Sequence, residues 1–526
     1  MRLLSLHLYG HDANVTYYDG TEIKYLNIER LKQQKKYYYT DTELQFVKRD
    51  LQFMSIDWNN LDAVSFCCHE YTVNDLDWTF DDGPVREVSK EIFQSAFPFI
   101  DITAKKYYRV MHHYAHKRSA DWLYGDTDKA LVIDGHGDYK EHLSVFDKNT
   151  KVKNMHFSDM LSIGRLYALT TLLFMKSSNS GPNSVQDNVG KIMGLLSYGK
   201  FNEDYADYLR QFDFEDVTAQ MYNHVQFEKY QYKKRPKVIE QCTQDSIGYV
   251  PSFDMVDWMH TWQEVLFDFL IEFCHKYFDK DEKFSFSGGV AHNVCFNERL
   301  SKEFPNVVIP PCVGDEGLSL GCMYELLKMH DISIAFPQGQ YTDESVDKID
   351  KITVAHIANS IITGKVVANF QGMSEIGPRA LGRRSLFYRT DMQTVPELFN
   401  NRRIKNREWW RPYGIIILEE ELSNYLDTTT KSPYMLHTAQ VKNKEALRGV
   451  VHVDNSVRYQ TVNEDDGWLY DVVSRVFKST GVPAIVNTSL NRQGYPIMYS
   501  KAEFFDYIQT VPGDVFVMGN EVFENV

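Results

Sequence analysis

The sequence predicts a mixed α/β protein of two domains, on three observations. Two strand–glycine turn–helix units follow one another, KFSFSGGVAHNVCFNERL at 283–300 and a less regular one around VVIPPCVGDEGLSLGCMYELL at 307–327. Short apolar runs alternate with amphipathic helical patterns, of which WQEVLFDFLIEFCHKYF at 262–278 is the clearest. A polar stretch then interrupts the pattern and the alternation starts afresh beyond it. We read 1–335 as one domain, 336–350 as a linker carrying Pro337 and Gly339, and 351–526 as a second α/β domain.

In chain order, RLLSLHLYG is a strand, and VTYYDGTEIKYL is a hairpin with an Asp-Gly turn. LDAVSFCC at 61–68 is another short strand. KALVIDGHGD at 129–138 is a buried strand running into a Gly/Asp turn, with EHLSVF as its hairpin partner. SIGRLYALTTLLF at 162–174 has helical periodicity, as does 262–278. After the linker come a helix over 352–363, a strand at KVVANF and a Gly/Arg loop. Strands at GIIILEE and LRGVVHV, a helix over 467–478, a strand at VPAIVN, a helix over 501–509 and a strand at DVFVMG complete the chain.

Hydrophobic residues make up 43% and charged residues 25% of the 526, the balance of a soluble globular protein with enough chain to bury sizeable cores. The net charge of −15 excludes a globally basic nucleic-acid binder and leaves a local patch open. Three stretches interleave cations with aromatics: LKQQKKYYY at 31–39, YQYKKRPK at 230–237 and NREWWRPY at 406–413. The first two read as solvated faces. No run approaches the roughly 18 apolar residues of a membrane span, and the apolar part of MRLLSLHLYGHDANV is too short for a signal peptide. Seven cysteines with one adjacent pair, Cys67 and Cys68, give no disulfide framework, which points to a reducing, cytoplasmic setting.

MHHYAHKRSA at 111–120 places His112 and His116 four residues apart. On a helix their Cβ atoms lie about 5–6 Å apart on one face, where two imidazoles can share a divalent ion. A solvent-facing polar helix has the same spacing, so spacing leaves both readings open. Asp134 in IDGHGD and Asp315 in GDEGLSLG sit at loop turns and complete a two-His, two-Asp set, a mixed N/O donor set suited to Fe(II), Mn or Zn. The Gly288–Gly289 pair ends a strand and lets backbone come close to a nucleotide. Asn293 and Gly317, in the two glycine-turn motifs, are further nucleotide-binding candidates. A tight turn with no ligand carries the same residues.

The chain resembles the O-carbamoyltransferases of the nodulation and antibiotic-biosynthesis type, such as the tobramycin and cephem carbamoyltransferases. The resemblance is carried, in the family's order, by GHDAN (10–14), IER (28–30), HHYAH (112–116), IDGHGD (133–138), KIMGLLSYG (191–199) and FSGGVAHN (286–293). It continues through PPCVGDEGLSLG (310–321), EIGPRALGRRS (375–385), IKNREWWRP (404–412), HVDNSVRYQ (452–460) and NTSLNRQGYPI (487–497). GPRALG and K-x-R-E-x-x-R-P are the most specific blocks. Three departures stand out: Arg383 before Arg384, Tyr413–Gly414 in place of Phe-Ala, and His292 in SGGVAHN, near the nucleotide.

The resemblance implies an N-terminal ASKHA-like (actin- and sugar-kinase-like) domain and a C-terminal domain like the threonylcarbamoyl-adenylate synthases. It implies that the smaller domain joins carbamoyl phosphate to ATP, with Mg2+, giving carbamoyl adenylate and pyrophosphate. The larger domain then moves the carbamoyl group onto an acceptor hydroxyl and releases AMP. The family's metal ligands fall on His112, His116, Asp134 and Asp315, with iron the usual ion; His113 is not carried over. Its anion-handling positions fall on Arg379, Lys405, Arg411, Arg458 and Ser489, since ATP and carbamoyl phosphate bring together several negative charges that only clustered cations and amides hold. His11 and His136 sit in the matching turns as candidate bases.

The implied acceptor is an alcohol: a sugar or natural-product hydroxyl, or the hydroxymethyl group of a modified cytosine in a nucleotide or DNA. The Tyr- and Lys-rich region at about 200–260 offers such a base or sugar stacking and charge. The other readings are an ASKHA-type phosphotransferase, a tRNA threonylcarbamoyl transferase, and a non-enzymatic nucleotide-binding protein. The tRNA reading leaves the second domain without a task, and a binding protein would have lost some of the clustered His/Asp or Arg/Lys positions. A monomer or homodimer, with no membrane partner, is expected.

Overall fold

Strand β1 (Leu3–His7) is buried along its whole length, which requires cover on both faces of its sheet. The computed structural model describes residues 1–68, 83–156, 162–165, 167, 189–211, 253–392, 395–402, 404–405 and 407–524. Most of the 162–174 helix, YQYKKRPK, and most of the 200–260 region expected to meet the acceptor lie outside the described residues.

β1 joins β2 (Asn14–Tyr18), β3 (Ile23–Asn27), β4 (Leu61–Phe66), β5 (Val85–Val88) and β6 (Ala104–Val110) in a sheet of order β3-β2-β1-β4-β6-β5. β1, β4 and β6 run parallel, and β2–β3 is the hairpin expected at Asp19-Gly20. A second sheet, β10-β7-β8-β9, contains β7 (Lys129–Ile133), β8 (Glu141–Asp147), β9 (Thr150–His156) and β10 (Phe284–Ser287). In it β7 and β10 are parallel, and β7–β8 is the expected antiparallel pair.

The helices used below are α1 (Ile28–Lys32), α2 (His112–Tyr124), α3 (Val189–Leu196), α4 (Phe253–His275), α5 (Val294–Glu303), α6 (Leu318–Met329), α7 (Lys351–Ile362), α8 (Trp468–Thr480) and α9 (Lys501–Thr510). α6 lies on β1, β2 and β4, α2 lies on β7 and β10, and the two helices pack on each other. The first domain is thus layered sheet, helix, helix, sheet. Gly321 makes the helix contact possible: a Cβ there would stand 1.9 Å from the Ala115 carbonyl oxygen.

Beyond the linker an eight-stranded sheet has the order β14-β15-β13-β16-β12-β11-β17-β18. Its strands are β11 (Val367–Phe370), β12 (Arg384–Arg389), β13 (Gly414–Leu418), β14 (His437–Gln440), β15 (Ser456–Val462), β16 (Ala484–Ser489), β17 (Val515–Met518) and β18 (Glu521–Glu524). α7 and α8 pack together on one face, where Ile357, Ile361, Val472 and Val476 meet Ile416 and Ile485.

Two expected strands are absent. LRGVVHV spends its backbone hydrogen bonds on turns, with Val450 and Val451 N–H both donating to the Leu447 carbonyl, and buries Leu447 and Val450 from those turns. Apolar alternation there mimics a strand's period. In the 307–327 unit only Val308 bridges to β10, so the glycine turn enters α6 from a coil. β12, β14, β15 and β18 were not anticipated, being polar or interrupted by charge.

The 336–350 segment contains neither helix nor strand, and it is docked rather than loose. The Gln340 side chain accepts from Asn27 N–H at 2.7 Å, and Tyr341 N–H donates to the Tyr25 carbonyl at 2.7 Å. Arg30 of α1 is buried and donates to the carbonyl of Gly377 (2.7 Å) and to Ser374 Oγ (3.1 Å), fastening the first part of the chain to the second.

Gly321→Ala is expected to destabilise the fold by about 1–3 kcal/mol, because the α2–α6 backbones cannot part without opening the layer between the sheets. A thermal melt in which the variant matches the wild-type chain would contradict this packing account.

Candidate active site

The sequence Met111–Ser119 forms the N-terminal half of α2, whose entry is fixed by a carboxylate: Asp138 Oδ2 accepts from His112 N–H at 2.7 Å. The solvent-facing reading of this helix is overturned. His112, His113, His116, Lys117, Arg118 and Asp121 are all buried. Its charges are paired internally, Lys117 with Asp121 (2.6 Å) and Arg118 with Asp121 (2.9 Å) and Glu325 (2.8 Å).

Four side chains converge where α2 begins, β7 ends and α6 is about to start. His112 Nε2 lies 2.9 Å from Asp134 Oδ2 and 3.4 Å from Asp315 Oδ1. His116 Nε2 lies 3.2 Å from His112 Nε2, 3.3 Å from Asp134 Oδ2 and 3.6 Å from Asp315 Oδ1. Atoms bound to one ion at about 2.0–2.1 Å stand about 3.0–3.4 Å apart, so the spacing fits a shared divalent ion. The donor set, two buried nitrogens facing each other beside two buried carboxylates, fits it as well, and Asp315 Oδ1 has no hydrogen-bond donor.

Without an ion the acid–base pairs carry the balance. Burial pushes the Asp134 and Asp315 carboxyls up, and the imidazoles of His112 and His116, joined at Asp315 first of all by the charge of His11, outweigh it and hold both well below the usual range. Burial lowers the His112 imidazole, and the Asp315 charge together with the hydrogen bond to Asp134 holds it well above 6.5. His113 takes the opposite course: burial and the neighbouring His112 push it down, and its Nδ1 lies 2.6 Å from Ser144 Oγ, outside the cluster.

The glycine pair has a use within the protein itself. Gly288 has φ +90°, and a Cβ there would stand 2.3 Å from the Ile133 carbonyl oxygen. Gly289 N–H donates to Asp134 Oδ1 at 3.0 Å, and Gly135 N–H donates to the same oxygen at 2.7 Å. The close backbone approach serves the Asp134 carboxylate, turning Oδ2 towards the histidines. Asn293 is engaged as the N-cap of α5, its Oδ1 accepting from Cys295 and Phe296 N–H, and its Nδ2 donating to Tyr167 Oη. Gly317 packs on Cys312, whose carbonyl oxygen a Cβ would meet at 2.5 Å. These four residues are committed within the protein, which is a structural use the glycine-turn motif alone does not distinguish from nucleotide binding.

His11 stands at the rim. Its Nδ1 lies 2.9 Å from Asp12 Oδ2, its Nε2 3.6 Å from Asp315 Oδ2, and it keeps 27% of its side chain exposed. Asn14 ties that loop to the metal-side turn, donating to the Asp315 carbonyl at 2.8 Å and accepting from Ser319 N–H at 2.8 Å. His136 is half-buried in the turn after β7. His292 lies 3.6 Å from Glu316. Asn14 and the buried His7, 3.8 Å from Asp315, were not singled out from sequence; both lie in or beside GHDAN.

The second group of residues is a cluster of cations. Lys405 Nζ donates to Ser489 Oγ (3.1 Å) and to Asn491 Oδ1. Burial and the charges of Arg407, Arg411 and Lys35 hold its ammonium well below the usual lysine range. Burial and Arg411 push Arg379 and Arg407 each down to about 10, and burial with Arg379, Arg407 and Arg411 depresses Arg458 well below 12.5. Arg379 Nε, Arg407 Nη1 and Arg458 Nε are buried without a hydrogen-bond partner. Among the described residues, Arg411 alone of the four arginines is paired with an acid in a short contact, at 3.2 Å from Glu408. Guanidinium groups stay protonated, so the repulsion is carried by the fold and weakens the hold of Lys405 on its proton.

Arg407 was missed from sequence, though K-x-R in an extended run puts both side chains on one side. Arg383 stays out of the cluster: its Nη1 donates to the Gln338 carbonyl at 2.7 Å, clasping the linker. LKQQKKYYY is no solvated face: Tyr37 and Tyr39 are buried, and Lys36 Nζ donates to Asp12 Oδ2 at 2.6 Å. The two groups of residues meet across the domain contact, with the charge of Glu316, next to Asp315, acting on Arg379. Among the described residues no helix is long and apolar enough to cross a membrane.

A mixed α/β chain thus carries a candidate divalent-ion site and a cluster of buried cations, groups of the kind that hold anionic ligands. Residues 86–323 match the model described as Carbamoyltransferase N-terminus, and residues 358–525 match Carbamoyltransferase C-terminus. The chain belongs to the carbamoyltransferase family. It is 26% identical over 449 residues to an uncharacterized protein of Methanocaldococcus jannaschii, covering 80% of this chain and 84% of that one. It is 27% identical over 445 residues to nodulation protein NolNO of Sinorhizobium fredii, covering 78% of this chain and 63% of the relative. Over 244 residues it is 30% identical to the 3'-hydroxymethylcephem-O-carbamoyltransferase of Amycolatopsis lactamdurans, 44% of this chain and 46% of that enzyme. Among solved structures, the activator of 2-hydroxyisocaproyl-CoA dehydratase from Clostridium difficile aligns over 64% of this chain and all of its own, at 9% identity and a TM-score of 0.33, a likeness too low to add to the sheet orders above.

Two outcomes follow from this geometry. Gly289→Ala, which would force a Cβ to within 2.7 Å of Asp134 Oδ1, is expected to weaken divalent-ion binding about 10–100-fold with all four ligands in place, read by calorimetric titration of the metal-stripped protein. For Lys405, the folded chain holds fewer protons than the unfolded one between the depressed pKa and 10.5, so the cost of its charge to the fold shrinks as pH rises through that window. An anion that restores the charge must bring a proton with it. Pyrophosphate binding is expected to take up a proton in the alkaline range and to weaken as pH rises, measured calorimetrically in buffers of different ionisation enthalpy; binding with no proton uptake would contradict the account.

Proposed function

We propose that this protein is an O-carbamoyltransferase working in two steps, with the 351–526 domain activating the carbamoyl group and the 1–335 domain transferring it. The observation that carries the reading is the cation cluster of Arg379, Lys405, Arg407, Arg411 and Arg458, whose mutual repulsion and unpaired buried nitrogens ask for a polyanion. ATP and carbamoyl phosphate meet that demand. In the first step carbamoyl phosphate gives up its phosphate to water, and the resulting carbamate oxygen attacks the α-phosphorus of Mg2+-ATP. The bond to pyrophosphate breaks, leaving carbamoyl adenylate. Lys405 and the arginines hold the phosphates and stabilise the charge that builds on the leaving group. Ser489 and Asn491 fix where the Lys405 ammonium points.

In the second step the acceptor hydroxyl attacks the carbamoyl carbon and AMP leaves. His112, His116, Asp134 and Asp315 would hold the divalent ion, iron being the family's usual choice. When bound, it supplies a Lewis acid for the carbamoyl carbonyl or a phosphate oxygen. His11, partly exposed and oriented by Asp12, is placed to take the hydroxyl proton at Nε2. The relative named 3'-hydroxymethylcephem-O-carbamoyltransferase supports an alcohol acceptor, and a small hydroxylated molecule and hydroxymethylcytosine are the two classes to screen.

The test omits the acceptor. With ATP, carbamoyl phosphate and Mg2+, the wild-type chain is expected to release pyrophosphate, and Lys405→Ala to lose that release by at least about a hundredfold, as for removal of one preorganised charge at a reacting phosphate. Formation of ADP with an added alcohol, without pyrophosphate, would replace this reading with phosphotransfer.

A further inference from the structure

The acid beside Arg411 is shared with a second cation. Glu408 Oε2 lies 3.2 Å from Arg411 Nη1, and Glu408 Oε1 lies 3.2 Å from Nζ of Lys191, on α3 of the 1–335 domain. The side chains of Glu408 and Lys191 are shielded, at 8% and 15% exposure. Burial pushes the Glu408 carboxyl up, and the charges of Arg411 and Lys191 outweigh it and hold it below the usual range. The carboxylate is therefore charged, with one oxygen turned to each cation. The backbones on either side of this contact are pressed together. Trp410 is fully buried, and its indole N–H donates to the Lys191 carbonyl at 3.2 Å. A Cβ on Gly194, further along α3, would stand 2.7 Å from Pro412 Cδ and 3.1 Å from the Trp410 carbonyl oxygen. His452 Nε2 lies 2.9 Å from the Gly194 carbonyl oxygen. α3 thus lies directly on the run from Glu408 to Pro412 that carries Arg411.

We propose that Lys191 is a positioning residue of the activation site, supplied by the 1–335 domain: it occupies one oxygen of Glu408 and so keeps Arg411 available for a phosphate of ATP. The effect is one of competition. A carboxylate and a guanidinium match as a fork, two oxygens against two N–H groups. An unshared Glu408 in this shielded place would take Arg411 in that form, and a phosphate would have to displace it. Lys191 draws off one oxygen, which leaves Arg411 a single contact and weakens the carboxylate's hold on it. Because Lys191 rides on α3, the activation site has its full affinity for anions only with α3 in place. The domain that would use the adenylate thereby sets how well the other domain binds ATP.

The inference rests on the anion-binding reading of the second domain, and the experiment separates the two. Equilibrium binding of inorganic pyrophosphate is measured for the wild-type chain, Lys191→Met, Lys191→Arg, Glu408→Gln, and Lys191→Met combined with Glu408→Gln. Pyrophosphate release from ATP and carbamoyl phosphate is followed beside it. Lys191→Met is expected to weaken pyrophosphate at least about tenfold and to raise the KM for ATP more than it lowers kcat, and Lys191→Arg to retain most of both. Adding Glu408→Gln to Lys191→Met removes the competing charge and is expected to restore most of the affinity, a rescue that a merely structural Lys191 does not give. Unaltered pyrophosphate affinity in Lys191→Met, with the wild type binding, overturns the role of Lys191 and leaves the activation reading standing. So does a loss that Glu408→Gln fails to relieve. Should Lys191→Met not fold, Glu408→Gln alone decides: binding at least as tight as the wild type supports the competition, and weaker binding overturns it. A wild type that binds no pyrophosphate overturns both readings.

Discussion

The carboxylate of Asp134 is the point on which the candidate metal site turns. Two backbone amides, from Gly135 and Gly289, take one of its oxygens and thereby fix the direction of the other. That second oxygen faces His112 and His116. The arrangement requires β7 and β10 to be parallel neighbours with Gly288 lying on the Ile133 carbonyl, and it requires α2 to start above them. Asp315 arrives from the other side because α6 follows it directly and is pressed against α2 through Gly321. Two glycine contacts, each intolerant of a methyl group, thus bring four ligand atoms from three stretches of chain within 4.8 Å of one another.

The two half-sites use charge in opposite ways. Around α2, buried lysine, arginine and aspartate groups neutralise one another at 2.6–2.9 Å, so burial is matched by pairing. Around Lys405 the cations face one another with Glu408 as the acid in short contact. Two like charges about 4 Å apart at an effective dielectric near 20 repel by about 4 kcal/mol, which is comparable with the whole stability of many domains. A fold carries several such terms only where a ligand relieves them. The contrast distinguishes structural charge from functional charge more sharply than burial does, since both groups are buried.

Much of this was legible in the sequence, and the failures have identifiable causes. Strand β1, the Asp19-Gly20 hairpin, β7, β10 and α8 follow from apolar period and turn residues. LRGVVHV has the period of a strand but spends its amides on turns, a choice set by tertiary contacts that a local pattern does not contain. His112 and His116 were readable as a pair; that the helix bearing them is buried was not, because its Lys, Arg and Asp look solvent-facing until Glu325 and Asp126 are seen beside them. Lys36 was hidden for the converse reason: KKYYY has the composition of a surface run, and only the Asp12 carboxylate beside it shows that this lysine turns inward.

The domain contact is part of the chemistry rather than its container. Glu375 Oε1 accepts from the backbone N–H groups of Leu381 (2.8 Å), Arg383 (2.8 Å) and Arg384 (3.0 Å), folding the loop that carries Arg379 around one carboxylate. Within that loop Gly377 has φ +87°, and a Cβ there would stand 2.1 Å from the Pro311 carbonyl of the first domain. Pro311 opens the turn that ends in Asp315, and Gly377 is also the residue that Arg30 holds. Displacing the second domain would therefore disturb the Arg379 loop, the Asp315 turn and the α1 anchor together. In the two-step O-carbamoyl transfer we propose, that coupling would keep the groups that bind the phosphate and the groups that receive the carbamoyl carbon at fixed relative positions.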